Sequence, residues 1–301
     1  MTTRLDRAPP ELAEGREVWL KREDLHELGA FKWRAALPVV EHHRDRGAGA
    51  VVTASTGNHG AATAWAALQL GVEAVVFAPA QVSGTKLAHL QRLGADVRLG
   101  GADIDDAKDA AKAFARDEGL PFFEDGAEPL QYEAYGAIAD EIVDQLGDPP
   151  AAVVVPLGNG ALLGGIARAL GERAPTAARV GVAAKEAPVM ALSWQAGRPV
   201  ESDRCATIAD GLAVRVAIPY AVEALATTVD RVLLVSEREI AGGVAAFERA
   251  GVRAEPAAAA ALAAVPQLGD VDDPIVLVLT GGNIDDDLLE RCRDRPETFP
   301  A

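Results

Sequence analysis

The stretch Gly49-Ala50-Val51-Val52-Thr53-Ala54-Ser55-Thr56-Gly57-Asn58-His59-Gly60 carries three successive local signals. Its first residues are small, apolar and β-branched, which favours a buried strand. A polar turn follows, and the Ala- and Leu-rich residues 61–70 then predict a helix. Residues 72–77 predict the next strand. This order of strand, turn, helix and strand is typical of a parallel βαβ unit.

The same alternation runs through the rest of the chain. Further strands are predicted at 17–21, 96–99, 121–123, 151–156, 180–184, 231–236 and 274–279. Further helices are predicted at 83–93, 104–118, 133–145, 239–250 and 255–265. Because no linker-like segment interrupts these elements, we predict two α/β lobes, the smaller inserted in the larger. The large domain would comprise residues 1–47 and 133–301, and the small domain residues 48–132.

The composition narrows the class of protein. A chain of 301 residues, 49% of them hydrophobic, is large enough for two lobes. A formal net charge of -16 argues against binding to nucleic acid or to an anionic membrane. No apolar run reaches the roughly 18 residues of a membrane span, and residues 1–6 lack the apolar core of a signal peptide. Cys205 and Cys292 show neither metal-ligand nor disulfide spacing, so we predict a cytoplasmic protein.

Lys32 is the first candidate for chemistry. It follows the small-residue turn Gly29-Ala30 and precedes an Ala-rich helical segment. The positive end of a helix dipole disfavours an ammonium group and so favours the nucleophilic amine. Such an amine commonly forms a Schiff base with a carbonyl. The alternative is an ordinary solvated lysine on a first helical turn.

Four loops, at Ser55, Gly158, Lys185 and Thr280, follow apolar strands. In an open α/β sheet, ligands bind beyond the carboxyl ends of the strands. The loop Gly158-Asn159-Gly160-Ala161-Leu162 suits a phosphate, since small residues expose backbone N–H groups and a helix start adds its dipole. A plain strand-to-helix turn is the alternative for that loop.

The loops at Ser55 and Thr280 have similar alternatives. Ser55-Thr56-Gly57-Asn58-His59 places hydroxyl, amide and backbone donors at a helix start, which suits a carboxylate. Capping of the helix by Ser55 or Thr56 would explain the same residues. Thr280 ends a buried strand and could hydrogen-bond a ring nitrogen, or it could simply begin a turn.

Taken together, these motifs resemble the fold-type II family of pyridoxal-phosphate enzymes, in the branch of threonine and serine dehydratases and serine racemase. The resemblance covers nearly the whole chain. It depends on seven stretches, which are 21–25, 30–34, 55–60, 156–165, 207–211, 255–256 and 280–285. It implies two open twisted sheets flanked by helices, as in the tryptophan synthase β-like fold. It also implies a homodimer and a small amino-acid substrate.

The resemblance assigns roles residue by residue. Lys32 would hold pyridoxal phosphate as an internal aldimine and then act as general base, with Thr56 as a second catalytic group. Residues 158–162 would bind the cofactor phosphate, Asn58 its ring hydroxyl and Thr280 its ring nitrogen. The other cofactor-binding residues would be Phe31, Gly211, Glu255 and Gly281. The substrate-binding residues would be Ser55, Thr56, Gly57, Asn58, His59 and Tyr135.

The implied reaction is β-elimination from a β-hydroxy amino acid such as threonine or serine, giving a 2-keto acid and ammonia. Racemisation is less favoured, because Thr56 stands where serine racemases have serine. Ala183 and Ala184 replace the Glu-Pro that holds a divalent metal in relatives, so no such metal is expected. The alternatives are a β-replacement enzyme of the same fold and a non-catalytic ligand-binding relative.

Overall fold

The computed structural model describes residues 1–13, 15–202 and 204–301. The chain divides into two compact units, and both are built from strands and helices. Unit 1 comprises Met1–Phe31 and Tyr135–Ala301, and unit 2 comprises Lys32–Ala134. The smaller unit is thus inserted in the sequence of the larger one.

The unit boundaries differ from the predicted domain boundaries. The first division lies after Phe31, whereas the predicted large domain extends to residue 47 before the small domain begins. The reason is that the intervening helix, Trp33–Asp45, packs against helix Asn58–Leu70 of unit 2. A helix assigned from sequence alone carries no information about which neighbour covers its apolar face.

The strands in the described residues are β1 (Leu5–Arg7), β2 (Val18–Arg22), β3 (Ala50–Ala54), β4 (Glu73–Ala78), β5 (Asp96–Leu99), β6 (Ala152–Pro156), β7 (Ala178–Ala184), β8 (Arg231–Val235) and β9 (Ile275–Leu279). The α-helices are α1 (Pro10–Ala13), α2 (Trp33–Asp45), α3 (Asn58–Leu70), α4 (Gly84–Arg92), α5 (Ile104–Glu118), α6 (Pro129–Leu146), α7 (Ala161–Arg173), α8 (Val189–Ala196), α9 (Pro219–Thr228), α10 (Glu237–Arg249), α11 (Pro256–Ala263) and α12 (Asp286–Asp294).

Unit 1 contains a six-stranded sheet in the order β1-β2-β9-β6-β7-β8. Among the described strands of this sheet, only the pairing of β1 with β2 is antiparallel. The central strand β9, Ile275-Val276-Leu277-Val278-Leu279, is buried at every residue. A continuous apolar run is what a parallel strand needs when helices cover both faces of its sheet. The register pairs Leu20 with Leu277 and Val154 with Leu277, which places β9 between β2 and β6.

Unit 2 contains a parallel three-stranded sheet in the order β3-β4-β5. Helix α3 packs on β3 and β4 through small buried residues, which let helix and strand backbones approach closely. Helix α5 packs on the same two strands through Ala107, Ala111 and Ala115. The strand–turn–helix–strand prediction for this part of the chain is confirmed.

Three local expectations need correction. Residues 121–123 form a single bridge, between Val52 and Phe122, instead of a strand. Helix α6 begins at Pro129, four residues before the predicted start at 133, because proline is well suited to a first helical turn. Strand β1 and helices α1, α8, α9 and α12 are not predicted from the sequence. Within the described residues, none of the helices combines the length and the apolar character that a membrane crossing requires.

Candidate active site

Lys32 is the residue that immediately precedes α2, where the chain leaves the left-handed turn at Gly29 (φ 63°). Its side chain is 14% exposed. The Nζ atom lies 2.6 Å from Oδ2 and 2.9 Å from Oδ1 of Asp125. The alternative of an ordinary solvated lysine therefore does not describe this residue, whose amine is held by a carboxylate within unit 2.

Asp125 was missed by the sequence analysis. It lies in the loop Glu124-Asp125-Gly126, which has no periodicity and looks like many polar turns. Besides Lys32, its Oδ1 accepts a hydrogen bond from Nε2 of Gln131 at 3.1 Å. Gln131 is itself buried, and its Oε1 accepts the backbone N–H of Gly126 at 2.8 Å. The first turn of α6 therefore fixes both the loop and its carboxylate.

His59 lies on the other side of Asp125 and is 6% exposed. Its Nε2 is 3.0 Å from Oγ1 of Thr53 and 3.3 Å from the carbonyl oxygen of Phe123, and its ring packs edge-on against Phe123. Its Nδ1 is 3.7 Å from Oδ1 of Asp125. Burial, more than any other influence, lowers the pKa of His59, so the imidazole is neutral at neutral pH.

The turn before α3 keeps its polar groups accessible. Ser55, Thr56 and Asn58 are half-buried, and Gly57 is exposed. The Ser55 hydroxyl accepts the N–H of Gly57 at 3.2 Å, and no side chain caps α3. A Cβ on Gly60 would lie 2.6 Å from the carbonyl oxygen of Ser55, so this position requires glycine. The capping alternative for Ser55 or Thr56 is therefore not observed.

In unit 1, the loop after β6 turns sharply into α7. Gly160 has φ 97°, a conformation that favours glycine. A Cβ on Gly158 would overlap the carbonyl oxygen of Gly211. The Asn159 side chain accepts the N–H of Ala161 at 3.1 Å, at the start of the 13-residue helix. Backbone N–H groups and a helix dipole thus converge on this turn.

The stretch around Gly211 is supported by a buried carboxylate that the sequence analysis also missed. Glu237, at the first position of α10, accepts the N–H of Ile208 at 2.7 Å and is 1% exposed. Burial is the largest influence on Glu237 and raises its pKa. The loop that carries Gly211 is in this way tied to α10.

The end of β9 joins two further predicted residues. Thr280 donates its hydroxyl hydrogen to Oε1 of Glu255 at 2.8 Å, and both side chains are buried. The backbone N–H of Glu255 bonds to the carbonyl of Gly281 at 2.9 Å. Phe31 bonds through its backbone to Thr280 at 3.0 Å, and its ring lies 5.1 Å from that of Tyr135. Tyr135 itself is fully buried.

Among residues 1–13, 15–202 and 204–301, there is no group of three or more His, Cys, Asp or Glu side chains able to hold a metal ion. Cys205 and Cys292 are free thiols.

The sequence profile of the pyridoxal-phosphate dependent enzymes matches residues 2–281 of this chain. The chain belongs to this family. It is 36% identical over 275 residues to an L-threonine ammonia-lyase of Geobacter sulfurreducens, a match that spans 90% of this chain and 68% of that protein. The predicted family is thereby confirmed, and pyridoxal phosphate is its cofactor.

Two solved structures show the same architecture. Threonine deaminase isoform 2 from Solanum lycopersicum, in its processed form, aligns with a TM-score of 0.92 at 28% identity, covering 97% of this chain and 87% of that one. A fungal L-serine ammonia-lyase from Rhizomucor miehei aligns with a TM-score of 0.89 at 25% identity, covering 98% of both chains. The predicted fold-type II architecture is confirmed.

The residues present fit the cofactor of this pyridoxal-phosphate family. The turn at Gly158 and Gly160 leaves no room for side chains, since a Cβ on Gly160 would lie 3.1 Å from the side chains of Ala221 and Met190. A glycine-containing turn with backbone N–H groups at a helix start is the arrangement that binds a phosphate. The amine of Lys32 is of the type that bonds to the cofactor's aldehyde.

Proposed function

We propose that this protein is a pyridoxal-phosphate-dependent ammonia-lyase, which dehydrates and deaminates a β-hydroxy amino acid such as threonine or serine to a 2-keto acid and ammonia. The observation that carries the proposal is the 36% identity, across 90% of this chain, to a protein named L-threonine ammonia-lyase. The likeness to a threonine deaminase and to an L-serine ammonia-lyase supports the same reaction.

The cofactor contacts are proposed as follows. In unit 2, Lys32 would hold pyridoxal phosphate through a Schiff base, and Asn58 would bind its ring hydroxyl. In unit 1, Thr280 would face the ring nitrogen. The turn between β6 and α7, together with the first residues of α7, would bind the phosphate. These phosphate-binding residues would be Gly158, Asn159, Gly160, Ala161 and Leu162. The remaining cofactor contacts would come from Phe31, Gly211, Glu255 and Gly281. When bound, the cofactor withdraws electrons from the substrate Cα.

We propose the substrate contacts according to how exposed each side chain is. Ser55, Thr56, the backbone of Gly57, and Asn58 are accessible and would bind the substrate carboxylate. The Nε2 of His59 is already bonded inside unit 2, so His59 would act by positioning its neighbours. Tyr135 is fully buried against Phe31 and would act through that ring. Lys32 would take the Cα proton as general base, and the Thr56 hydroxyl would be the second catalytic group.

A visible absorbance spectrum tests this proposal. We expect the purified protein, loaded with pyridoxal phosphate, to show a band that shifts when L-threonine or L-serine is added, with keto acid accumulating in the same cuvette. The Lys32→Ala variant should show neither the band shift nor keto acid, because it lacks the amine that bonds the cofactor and takes the proton. A wild-type protein that binds the cofactor but releases keto acid from neither amino acid would contradict the proposed reaction.

We propose that the protein is a homodimer, which is the usual assembly in this family. We also propose a cytoplasmic location, which the two free thiols support. Light scattering on the purified protein would give the mass of the assembly.

A further inference from the structure

Asp125 is a carboxylate in direct contact with the amine that the proposed function uses as a base. Its Oδ2 lies 2.6 Å from Nζ of Lys32, and its side chain is 27% exposed. Gln131, which is buried, donates to Oδ1 from a second side at 3.1 Å. A proton on Lys32 can therefore reach Asp125 without any movement of the chain.

The hydrogen bonds of His59 determine which ring nitrogen carries the hydrogen. The other ring nitrogen then presents a lone pair to Asp125. The Phe123 carbonyl can only accept a hydrogen bond, and the Thr53 hydroxyl donates to that same carbonyl at 2.9 Å. Nε2 of His59 must therefore carry the hydrogen that points to both. In the neutral ring, the other nitrogen, Nδ1, is then an acceptor.

This acceptor suits a protonated Asp125. Nδ1 lies 3.7 Å from Oδ1 of Asp125, roughly 0.8 Å beyond a normal hydrogen bond. An ionised carboxylate has no hydrogen to donate and is not stabilised by a lone pair that faces it. A carboxylic acid can donate a hydrogen bond to that lone pair. Burial lowers the pKa of His59, which keeps this lone pair available. Lys32 and Gln131 thus stabilise the ionised form of Asp125, and His59 can stabilise the protonated form.

We propose that Asp125 carries the proton from Lys32 to the departing hydroxyl of the substrate. This inference rests on the proposed β-elimination. The Cα–H bond breaks, its proton goes to Nζ of Lys32, and its electron pair forms the Cα–Cβ double bond. Lys32 passes a proton to Asp125, which gives it to the β-oxygen. The Cβ–O bond breaks with its electron pair on oxygen, water leaves, and both side chains return to their starting forms.

A change of leaving group tests this role. Hydroxide leaves only with a proton, whereas the chloride of β-chloro-L-alanine leaves without one. For Asp125→Asn we expect kcat with L-serine to fall by about 100-fold, the lower end of what a general acid contributes. With β-chloro-L-alanine we expect kcat to stay within about threefold of wild type, since the proton on the leaving group is not needed. Pyruvate is measured in both assays.

Two further measurements separate catalysis from structure. The absorbance spectrum and the dissociation constant of pyridoxal phosphate should match wild type in Asp125→Asn, because the amide is isosteric with the carboxyl group and Asp125 is not among the proposed cofactor contacts. Asp125→Glu, which restores a carboxyl group on a longer arm, should recover part of the L-serine activity. Glu128→Gln is the matched control, since this carboxylate lies in the same loop, 4.0 Å from His43, and should behave as wild type on both substrates.

The outcomes are distinct. Equal losses on both substrates, or no loss on L-serine, would overturn the role of Asp125 while leaving the lyase reaction standing. A wild-type enzyme that forms pyruvate from neither substrate would remove the proposed function and this inference with it.

Discussion

At the residue scale, Gly158 has no room for a side chain because a Cβ there would overlap the carbonyl oxygen of Gly211. We expect Gly158→Ala to push the two loops apart and to weaken the binding of pyridoxal phosphate at least about tenfold, a cost of roughly 1.4 kcal/mol. Fluorescence titration with the cofactor measures this. Gly242→Ala is the control, since a Cβ there meets nothing within 4 Å, and its affinity should be unchanged.

Glu237 is the residue whose titration should affect folding. Burial raises its pKa in the folded protein, so its contribution to stability is fully present below the pKa of the unfolded chain and is lost as pH rises through the folded pKa. Glu237→Gln removes the buried charge and keeps an acceptor for the N–H of Ile208. We therefore expect this variant to melt at a higher temperature than wild type at about pH 8, with a smaller difference near pH 4.5. A larger gain at the acidic pH would contradict this explanation.

At the scale of the element, local sequence signals placed β3, α3, β4 and α5 correctly, because alternation and apolar periodicity report the burial of nearby residues. The N-cap of α5 shows how the start of such a helix is stabilised. Asp103 accepts the N–H groups of Asp105 and Asp106 at 3.0 and 3.1 Å, which satisfies two backbone donors at the helix start.

Removing that cap should destabilise unit 2. For Asp103→Ala we expect the free energy of unfolding to fall by about 1 kcal/mol, the usual cost of losing an N-cap side chain. Asp103→Asn, which keeps a capping oxygen, should lose less than half as much. Urea denaturation followed by circular dichroism compares the two variants, and equal losses would show that charge, and not the cap, stabilises this helix start.

At the scale of the whole molecule, the formal net charge of -16 is the dominant electrostatic feature. Repulsion among like charges opposes the compact state, and salt screens it over roughly 10 Å at 0.1 M. We expect the melting temperature at neutral pH to rise as sodium chloride increases from about 0.01 to 0.2 M. Near the isoelectric point of about 4.7, where the net charge vanishes, the same salt series should have little effect. A melting temperature that is indifferent to salt at neutral pH would contradict this.

The amino-acid sequence by itself determined the α/β class, the βαβ order and the placement of Lys32 before an Ala-rich helix, because each depends on residues adjacent in the chain. The tertiary structure alone decided the partners of the reactive groups. Lys32 meets Asp125, Thr280 meets Glu255, and Gly158 meets the carbonyl of Gly211. Lys32 and Asp125 are 93 positions apart, and no periodicity or spacing records a contact that forms only when strands, helices and loops have packed. Packing therefore brings an unremarkable loop carboxylate to within 2.6 Å of the lysine.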